Sequence, residues 1–429
     1  MNTNKLKKWT TLLTVSGIFR SRPADNVFCG FSRCFYRGSL ALILGGLLLP
    51  LTVSAQENPG VSLIINGSSV TRSGTTYNNN GLVLDVKASG TFTGSDIILI
   101  SASSRAAFIR EQSTINLTNA TLTGRVEGIQ LHSSTLNFTS GTITATSVEG
   151  SGAALRLLAS KAIVNDVTVI ATSTSANGVG IMADGSSSQL SGTGWTVQTS
   201  GVYGMRADNG ANIVGSDIDI TSNGLGVFID HGSSAILDRL TVTTSGNAAA
   251  LLVQLRGVLI INGGTITTSN GVGARLEHHD DCFLQLNDVT LTTSGTDRPG
   301  INISSGTAGN KVLGINGGSV NSQQGAGINI SLTHDAAFAT INGGATVSGT
   351  VGLNIYGSKT NVATTVSVEE SSSITGGANI SGNTNVDLTL SGSSSLNGAV
   401  NTKDSAVVTI NLDDSMLTGD VTGSGSSTL

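Results

Sequence analysis

Aliphatic residues return along this chain at a mean spacing of about 25 residues, and most are followed by Asn, Asp, Gly or Ser. Repeats of this length are typical of solenoids, in which each unit buries its apolar face against the next unit. The positions of this first column are Ile115, Leu136, Val164, Leu190, Val214, Leu237, Ile261, Leu286, Ile315, Ile341, Val368, Leu390 and Leu412.

A second aliphatic column follows the first in every repeat, which a chance distribution of aliphatics would not produce. Its members are Leu122, Ile143, Val169, Val197, Ile220, Val242, Ile266, Leu291, Val320, Val347, Ile374, Leu396 and Leu417. Most repeats add a pair of alternating aliphatics, and these pairs include Ile129/Leu131, Leu155/Leu157, Val227/Ile229, Ile301/Ile303, Ile328/Ile330 and Leu353/Ile355. Alternation with period two indicates β-strands, so each repeat is expected to form three short strands.

These columns predict an all-β fold, a right-handed parallel β-helix with three short strands per rung and about 13–15 rungs. Turn sequences such as Asn262-Gly263-Gly264 separate the strands. The right hand follows the usual rule for crossover connections between parallel strands. We expect less regular leading rungs at residues 56–112 and regular repeats at residues 113–429. A leucine-rich repeat is disfavoured because the fixed frame of that repeat is missing.

Residues 1–55 form a segment of a different character. They hold seven of the 22 basic residues and one of the 27 acidic residues. The apolar run from Leu40 to Leu51 and the small residues Val53-Ser54-Ala55 follow the basic region. This order predicts an extended secretory signal peptide that is cleaved between Ala55 and Gln56.

Composition and charge exclude several classes of function. Removing residues 1–55 would leave 15 basic and 26 acidic side chains, which give a net charge of −11. Such a chain is a poor partner for nucleic acid, which proteins recognise through basic surfaces. Cys29 and Cys34 would be lost with the signal peptide, and Cys282 would then have no cysteine with which to form an intramolecular disulfide.

The repeats "TINLTNATLTG", "LIINGGTITTSNGVGARL", "AGINISL" and "SMLTGDVTGSGSSTL", behind a long signal segment, resemble passenger domains of bacterial autotransporters (type V secretion) of the pertactin-like and diffuse-adhesin type. The resemblance implies the general secretory route, the outer-membrane assembly machinery, and surface display through a C-terminal translocator barrel. Because the chain ends at Leu429 within what resembles another rung, we expect a passenger truncated before its barrel, through which membrane attachment would occur. The expected location is the cell surface, the outer membrane or the medium when a barrel is joined, and the periplasm when it is not.

Parallel β-helices also host polysaccharide lyases and hydrolases, whose sites need several carboxylates on neighbouring rungs. The best candidate is Asp217-Ile218-Asp219. Alignment of the second column places Asp219 between Thr196 and Thr241, with no third carboxylate in line. We therefore assign no catalytic residue, no cofactor site and no cofactor, and we expect a protein that is not an enzyme.

The densest cluster of residue types that bind metals is His278-His279-Asp280-Asp281-Cys282. Five consecutive residues point to different sides, so few of them can converge on one ion. We interpret the cluster as a polar turn followed by a buried Cys282, and we assign no metal site.

The second strand of several repeats carries a Thr-x-Thr unit on its outward side. This candidate self-association face, called the threonine face below, consists of Thr121, Thr123, Thr142, Thr144, Thr241, Thr243, Thr265, Thr267, Thr290 and Thr292. Threonine suits an outward strand position, so β-propensity and solubility alone also account for the pattern. A flat, uncharged face rich in hydroxyl groups can alternatively pair with the same face of another molecule.

The sequence therefore predicts an adhesin or self-association factor, active in aggregation or biofilm formation through extended polar faces. The expected partner is a host surface or another copy of the chain. The alternative is an extracellular β-helical enzyme that acts on polysaccharide.

Export gives a direct test of the N-terminal assignment. We expect the protein recovered from the cell envelope to begin at Gln56, because Val53 and Ala55 occupy the small-residue positions that signal peptidase recognises. N-terminal sequencing measures this start. A protein that begins at Met1 would show that residues 1–55 are retained.

Overall fold

A computed structural model of the chain describes residues 41–44, 47–50, 60–148, 152–173, 178–201, 203–278, 280–305, 309–334 and 336–428. The described residues belong to two units, which divide between residues 53 and 54. In the first unit, the described residues form an antiparallel hairpin of β1 (Ala41–Leu44) and β2 (Leu47–Pro50). The predicted cleavage site between Ala55 and Gln56 lies outside the described residues. In the described part of the chain, no helix has the length and apolar character needed to cross a membrane.

The second unit is an all-β parallel solenoid of about 14 turns, which confirms the predicted fold class. The strands that precede the regular repeats are β3 (Leu63–Asn66), β4 (Ser69–Ser73), β5 (Thr76–Asn79), β6 (Leu84–Lys87), β7 (Thr91–Ser95), β8 (Ile98–Ser101) and β9 (Ala107–Arg110).

The strands of the central turns are β10 (Thr114–Gly124), β11 (Ile129–His132), β12 (Thr135–Val148), β13 (Ala153–Leu158), β14 (Lys161–Ser173), β15 (Val179–Asp184), β16 (Gln189–Thr199), β17 (Tyr203–Asp208), β18 (Asn212–Ser222), β19 (Leu225–Ile229), β20 (Ser234–Thr244), β21 (Leu251–Gln254), β22 (Val258–Thr268), β23 (Ala274–Glu277) and β24 (Cys282–Thr293). The strands of the last turns are β25 (Ile301–Ser305), β26 (Lys311–Asn316), β27 (Ser319–Ser322), β28 (Ala326–Leu332), β29 (Ala336–Asn342), β30 (Thr346–Ser348), β31 (Val351–Val368), β32 (Ser373–Thr375), β33 (Ala378–Ser391), β34 (Ser395–Asn397), β35 (Val400–Thr402), β36 (Val407–Asp413), β37 (Met416–Thr418) and β38 (Val421–Gly423).

Three parallel sheets run along the second unit, because each strand pairs with the equivalent strand of the next turn. Sheet 1 contains β4, β7, the first halves of the long strands β10 to β24, and then β26, β29 and β36 with the second halves of β31 and β33. Sheet 2 contains β5, β8, the second halves of the same long strands, and then β27, β30, β32, β34 and β37. Sheet 3 contains the short strands between them, from β3 to β38, together with the first halves of β31 and β33.

A single residue with positive φ forms the bend between sheets 1 and 2 in most turns. Asn119, Asp166, Asp217 and Asp288 have φ values of 50°, 54°, 54° and 52°. Asn and Asp tolerate this left-handed conformation better than other residues with side chains, and Gly does so without a steric penalty. The bend therefore explains why Asp or Gly stands two residues after many of the first-column aliphatics, as Asp166 does after Val164 and Asp288 after Leu286.

The second aliphatic column lies in register and faces the core, as the sequence predicts. Successive members pair directly, such as Val242 with Ile266 and Ile266 with Leu291. All members except Leu417, which is half-buried, have at most 1% of their surface exposed. The alternating pairs of sheet 3 also stack, as Ile301/Ile303 do on Ile328/Ile330. Inward positions of successive turns thus form one continuous core.

The predicted first column is wrong at Val214, whose side chain is 45% exposed. The inward positions of that strand are Ile213 and Gly215. Trp195, which is 1% exposed, occupies the core beside Gly215, where an added Cβ would lie 2.8 Å from the indole. The indole nitrogen donates to the carbonyl oxygen of Val164 at 2.7 Å. The bulky indole therefore takes the space that an aliphatic side chain fills in other turns.

The first column also combines two adjacent inward positions. Leu136 pairs with Ile115 and with Ala162, whereas Val164 pairs with Phe138. Ile115, Leu136 and Leu190 occupy the earlier inward position, and Val164 and the members from Leu237 onward occupy the later one. Because the two positions are separated by two residues, both point inward and the predicted strand orientation is unaffected.

Buried hydroxyl groups line the corner where sheet 2 ends. Thr268 and Thr293 are fully buried. The Oγ1 atom of Thr268 accepts a hydrogen bond from the Gly271 amide at 3.0 Å, and the Oγ atom of Ser322 accepts one from the Gly325 amide at 2.9 Å. These hydroxyls satisfy loop amides that would otherwise be buried without a partner. The last Thr of a Thr-x-Thr-Thr segment therefore fixes a loop, and only the first two belong to the outward face.

Replacement of Ile266 by Asp tests the core register. We expect Ile266→Asp to lower the free energy of unfolding by several kcal/mol, because an unpaired carboxylate would be placed between stacked turns. Thr267→Asp is the matched control, since Thr267 is the next residue of the strand and is exposed. Urea unfolding followed by far-UV circular dichroism measures both variants. Equal stability of the two variants would contradict the register.

Candidate functional surfaces

The threonine face lies on the outward side of sheet 2 and is in register. Thr241, Thr265 and Thr290 pair in sequence on three successive turns, and Thr121 pairs with Thr142 on two earlier turns. The second members of the units stack in the same way, as Thr243, Thr267 and Thr292 do. All ten side chains are exposed or half-buried, and each aliphatic residue between two of them is buried.

The structure extends this face beyond the ten residues that the sequence motif identifies. Thr142 pairs with Thr168, and Thr168 pairs with Thr196. The leading threonines of the face therefore stack on four successive turns, from Thr121 to Thr196. After Thr290 the same column continues as Ser319 and Thr346. The Thr-x-Thr motif misses Thr168 and Thr196 because Ile170 and Gln198 take the second position. Counting from the second aliphatic column would have found them.

Asp219 is the single charged residue on the outward side of sheet 2 within the described strands. It lies between Thr196 and Thr241, as the sequence alignment predicts. The remaining outward residues of this sheet are mainly Thr, Ser and Asn. The face therefore offers hydroxyl and amide groups with almost no charge, which favours association with a surface of the same kind over binding of an ion.

Asp217, the other carboxylate of the catalytic candidate, is held in an ion pair at the bend between sheets 1 and 2. The Arg239 guanidinium donates to both of its oxygens, at 2.6 and 2.7 Å, and Thr193 donates a further bond at 3.1 Å. These contacts, above all the bond from Arg239, lower the pKa of Asp217 to about 2. A carboxylate with this pKa is ionised at neutral pH and is unsuited to act as a general acid.

The predicted polar turn before Cys282 disperses its side chains. Asp280 forms an ion pair with Arg256 at 3.4 Å, and the Oδ1 atom of Asp281 accepts a hydrogen bond from the backbone amide of Asn310 at 2.7 Å. His278 lies 3.5 Å from Glu277, and His279 lies outside the described residues.

Cys282 itself is buried in the corner where sheet 1 begins. Burial raises the pKa of its thiol to about 12, although the neighbouring Lys311 ammonium acts in the opposite direction. A thiol with this pKa is protonated at neutral pH and is a poor metal ligand. Cys282 is therefore accounted for as part of the core, as the sequence interpretation has it.

A group of metal-ligand residue types that the sequence analysis missed lies at the end of sheet 3. The Nδ1 atom of His231 lies 2.9 Å from Asp208 Oδ1 and 3.0 Å from Asp230 Oδ2. Arg206 pairs with the other oxygen of Asp208 at 2.6 Å. The sequence gives little sign of this group because its members come from two turns of the solenoid.

The preceding turn accounts for this group without a metal. Asn209 and His231 occupy the same place in the consecutive turns Asp208-Asn209-Gly210 and Asp230-His231-Gly232. The side-chain amide of Asn209 donates to Asp184 Oδ1 of the turn before it at 2.8 Å. In the same way, the imidazole of His231 contacts Asp208 of the turn before it. The group is thus one step of a hydrogen-bond ladder between stacked Asp residues.

A groove with a volume of about 440 Å³ runs over the outer side of sheet 3. Its floor carries Arg275, Asn302, Asn329 and Asn354 on successive turns. The amides are linked, with Asn329 donating to Asn302 at 2.7 Å and Asn354 donating to Asn329 at 2.6 Å. Asp297 is the single carboxylate among the described lining residues. Hydrolysis of a glycosidic bond ordinarily needs two carboxylates, so this groove does not favour the alternative of a hydrolase.

Comparison with known proteins identifies a solved structure of similar fold. No protein-family model matches the sequence, and neither does any curated protein. The structure is similar to a chain in the cryo-EM structure of the Vag8–C1 inhibitor complex, with a TM-score of 0.53 and 16% sequence identity over 86% of this chain and 98% of that chain. Vag8 is an autotransporter passenger domain from Bordetella. At this identity the similarity shows a shared fold and nothing more.

The ion pair at the bend gives a test of the local electrostatics. We expect Asp217 to titrate with a pKa of about 2, and Arg239→Gln to raise this pKa toward the ordinary value of about 3.9. Because the pKa is lowered in the folded state, the stabilising contribution is complete above the ordinary pKa and is lost as the pH falls toward 2. NMR titration of the side-chain carboxyl measures the change.

Arg256→Gln is the control for this titration, because Arg256 pairs with Asp280 instead. That variant should leave the pKa of Asp217 unchanged. A normal pKa for Asp217 in the unmodified protein would show that the pair with Arg239 does not persist in solution.

Proposed function

We propose that this protein is an exported passenger, displayed on the cell surface or secreted, that acts without catalysis in adhesion by joining to other copies of itself. The observation that carries the proposal is the threonine face, which keeps a nearly uncharged, in-register surface over many successive turns. The passenger fold supports the export and surface location. The predicted signal peptide agrees with that location.

A non-enzymatic role agrees with the chemistry of the described side chains. Asp217 is committed to Arg239, and the groove on sheet 3 has one carboxylate. The Thr side chains of the face cannot act as nucleophiles without a neighbouring base, and Asp219 is the single ionisable group among them. Binding over an extended surface is therefore the role that these residues suit.

The partner that best fits this face is a second copy of the same face. Two nearly neutral surfaces approach without charge repulsion, and hydroxyl groups act both as donors and as acceptors, so that identical columns can bond to each other. A host protein is the other partner class, since Vag8 is seen in complex with C1 inhibitor. We favour the second copy because the face itself is self-complementary in its chemistry.

Three charges placed on the threonine face test this role. We expect the combined Thr241→Lys, Thr265→Lys and Thr290→Lys variant to abolish settling of cells that display the protein on a heterologous translocator. Successive turns lie about 4.8 Å apart, so both copies would present three stacked cations that repel each other. Settling should partly return at high salt, because salt screens the repulsion between the added lysines. Settling rate and surface amount are measured together.

A matched control places the same three charges on another sheet. Thr91, Thr114 and Thr135 stack on successive turns at outward positions of sheet 1. Their combined replacement by Lys should leave settling intact. If both variants settle cells like the unmodified protein, the threonine face is only a solvated strand surface. If both fail equally, net charge and not the face controls settling.

A further inference from the structure

An apolar column lies on the outward side of sheet 1, where a solvated strand face would carry polar residues. Val258, Phe283, Val312 and Phe338 pair in sequence on four successive turns, in β22, β24, β26 and β29. The first three side chains are half-buried, and Phe338 is 42% exposed. Exposed apolar residues in a contiguous group are typical of an interaction site.

The two columns beside it are also uncharged. The middle column consists of Ile260, Gln285, Gly314 and Thr340, and the third consists of Asn262, Asn287, Asn316 and Asn342. Asn287 donates to Asn262 at 2.7 Å, so the amides already form a ladder. The twelve positions form a patch four turns long and three residues wide. Water-exposed Phe and Val side chains in such a patch gain free energy when a second surface covers them.

We propose that this patch binds a second copy of the chain, with the two solenoids antiparallel and related by a two-fold axis between β24 and β26. This axis runs parallel to the strands, so each column faces itself in reverse order. Val258 then faces Phe338 of the second copy, and Phe283 faces Val312 of the second copy. The interface is isologous, as in most homodimers, since every contact occurs twice.

Side-chain size selects this arrangement. Along the column the residues alternate as Val, Phe, Val and Phe. In the antiparallel dimer every Phe faces a Val, so large and small side chains interdigitate between the sheets. In a parallel dimer each residue would face its own equivalent, which gives two collisions between phenyl rings and two gaps between valines. Close packing at a sheet interface needs each large side chain to face a small one, as in the antiparallel dimer.

The amide column obeys the same symmetry. Asn262 faces Asn342 of the second copy, and Asn287 faces Asn316 of the second copy. Each amide has both donor and acceptor atoms, so these pairs can bond across the axis without burying an unpaired charge. Gln285 does not obstruct the approach, because its amide lies over Gly314 of its own chain.

The overlap approaches the area of a stable dimer, and beyond the four uncharged turns it also places Asp238 opposite Glu369 of the second copy, which offsets part of the gain. The axis leaves five strands of sheet 1 on its C-terminal side, from β26 to β36, and these face five strands from β24 back to β16. Ten strands at about 4.8 Å span roughly 48 Å, and a face about 15 Å wide gives roughly 700 Å² per copy. Stable interfaces bury about 800 Å² per partner.

This interface is separate from the threonine face, and the inference does not depend on the proposed function. Sedimentation velocity of the full-length chain tests it, and we expect a dimer at micromolar concentration. Val258→Phe alone places two phenyl rings opposite each other, and Phe338→Val alone leaves a gap. Each contact occurs twice, so each single variant should weaken the dimer at least tenfold.

The double variant Val258→Phe with Phe338→Val restores one large and one small residue at each contact. We expect its dimer affinity to return to within about threefold of the unmodified protein, with unchanged circular dichroism for all three variants. A monomeric unmodified protein, or a double variant weaker than either single variant, would overturn the proposal. The variant with Lys at Thr241, Thr265 and Thr290 should remain dimeric, and its conversion to a monomer would place the association on sheet 2 instead.

Discussion

The main-chain hydrogen bonds between equivalent strands of successive turns are the constraint on which the rest of this structure depends. They hold each residue directly above its counterpart in the previous turn, as Val242, Ile266 and Leu291 show. Because strand side chains alternate between two sides, a slip of one residue would turn every buried column toward water. The register is therefore maintained by the whole core, and each surface column inherits its order from that register.

This stacking also explains why the chain contains so few charged residues. A column of identical charges about 4.8 Å apart repels itself, whereas aliphatic, hydroxyl and amide columns stack without such a cost. Several charged side chains accordingly pair with the opposite charge on a neighbouring turn, and the stacked Asp184 and Asp208 are instead contacted by Asn209 and His231. Arg110 pairs with Asp85 of the turn before it, and the buried Glu127 lies between Arg105 and Arg156. A long ladder is thus chemically restricted to neutral side chains, which suits it for contact with other surfaces.

The sequence predicted the fold and the second column because these depend on residues that recur at nearly every turn. It failed at Val214, since a single Trp195 from the neighbouring turn altered which position could hold a side chain. The group formed by Asp208 and His231 could not be foreseen either, because it depends on the turn conformation at two separate corners.

The threonine face was only partly found, and the apolar column of sheet 1 was not found at all. The Thr-x-Thr motif identified pairs such as Thr241/Thr243, but single outward threonines such as Thr168 carry no motif. Val258, Phe283, Val312 and Phe338 are separated by unequal loops, so their alignment follows from the pairing of strands and not from a fixed spacing.

The bend between sheets 1 and 2 has a consequence for how such a protein can change. That corner is formed by one residue of positive φ in many turns, including Asp217, so it contains no extra residues that could accommodate an insertion. The corner after sheet 2 differs, because its loops range from the two residues between β18 and β19 to the seven between β24 and β25. Insertions acquired during evolution, or peptides grafted by an engineer, should therefore accumulate in loops such as residues 294–300, where added length does not disturb the neighbouring turns.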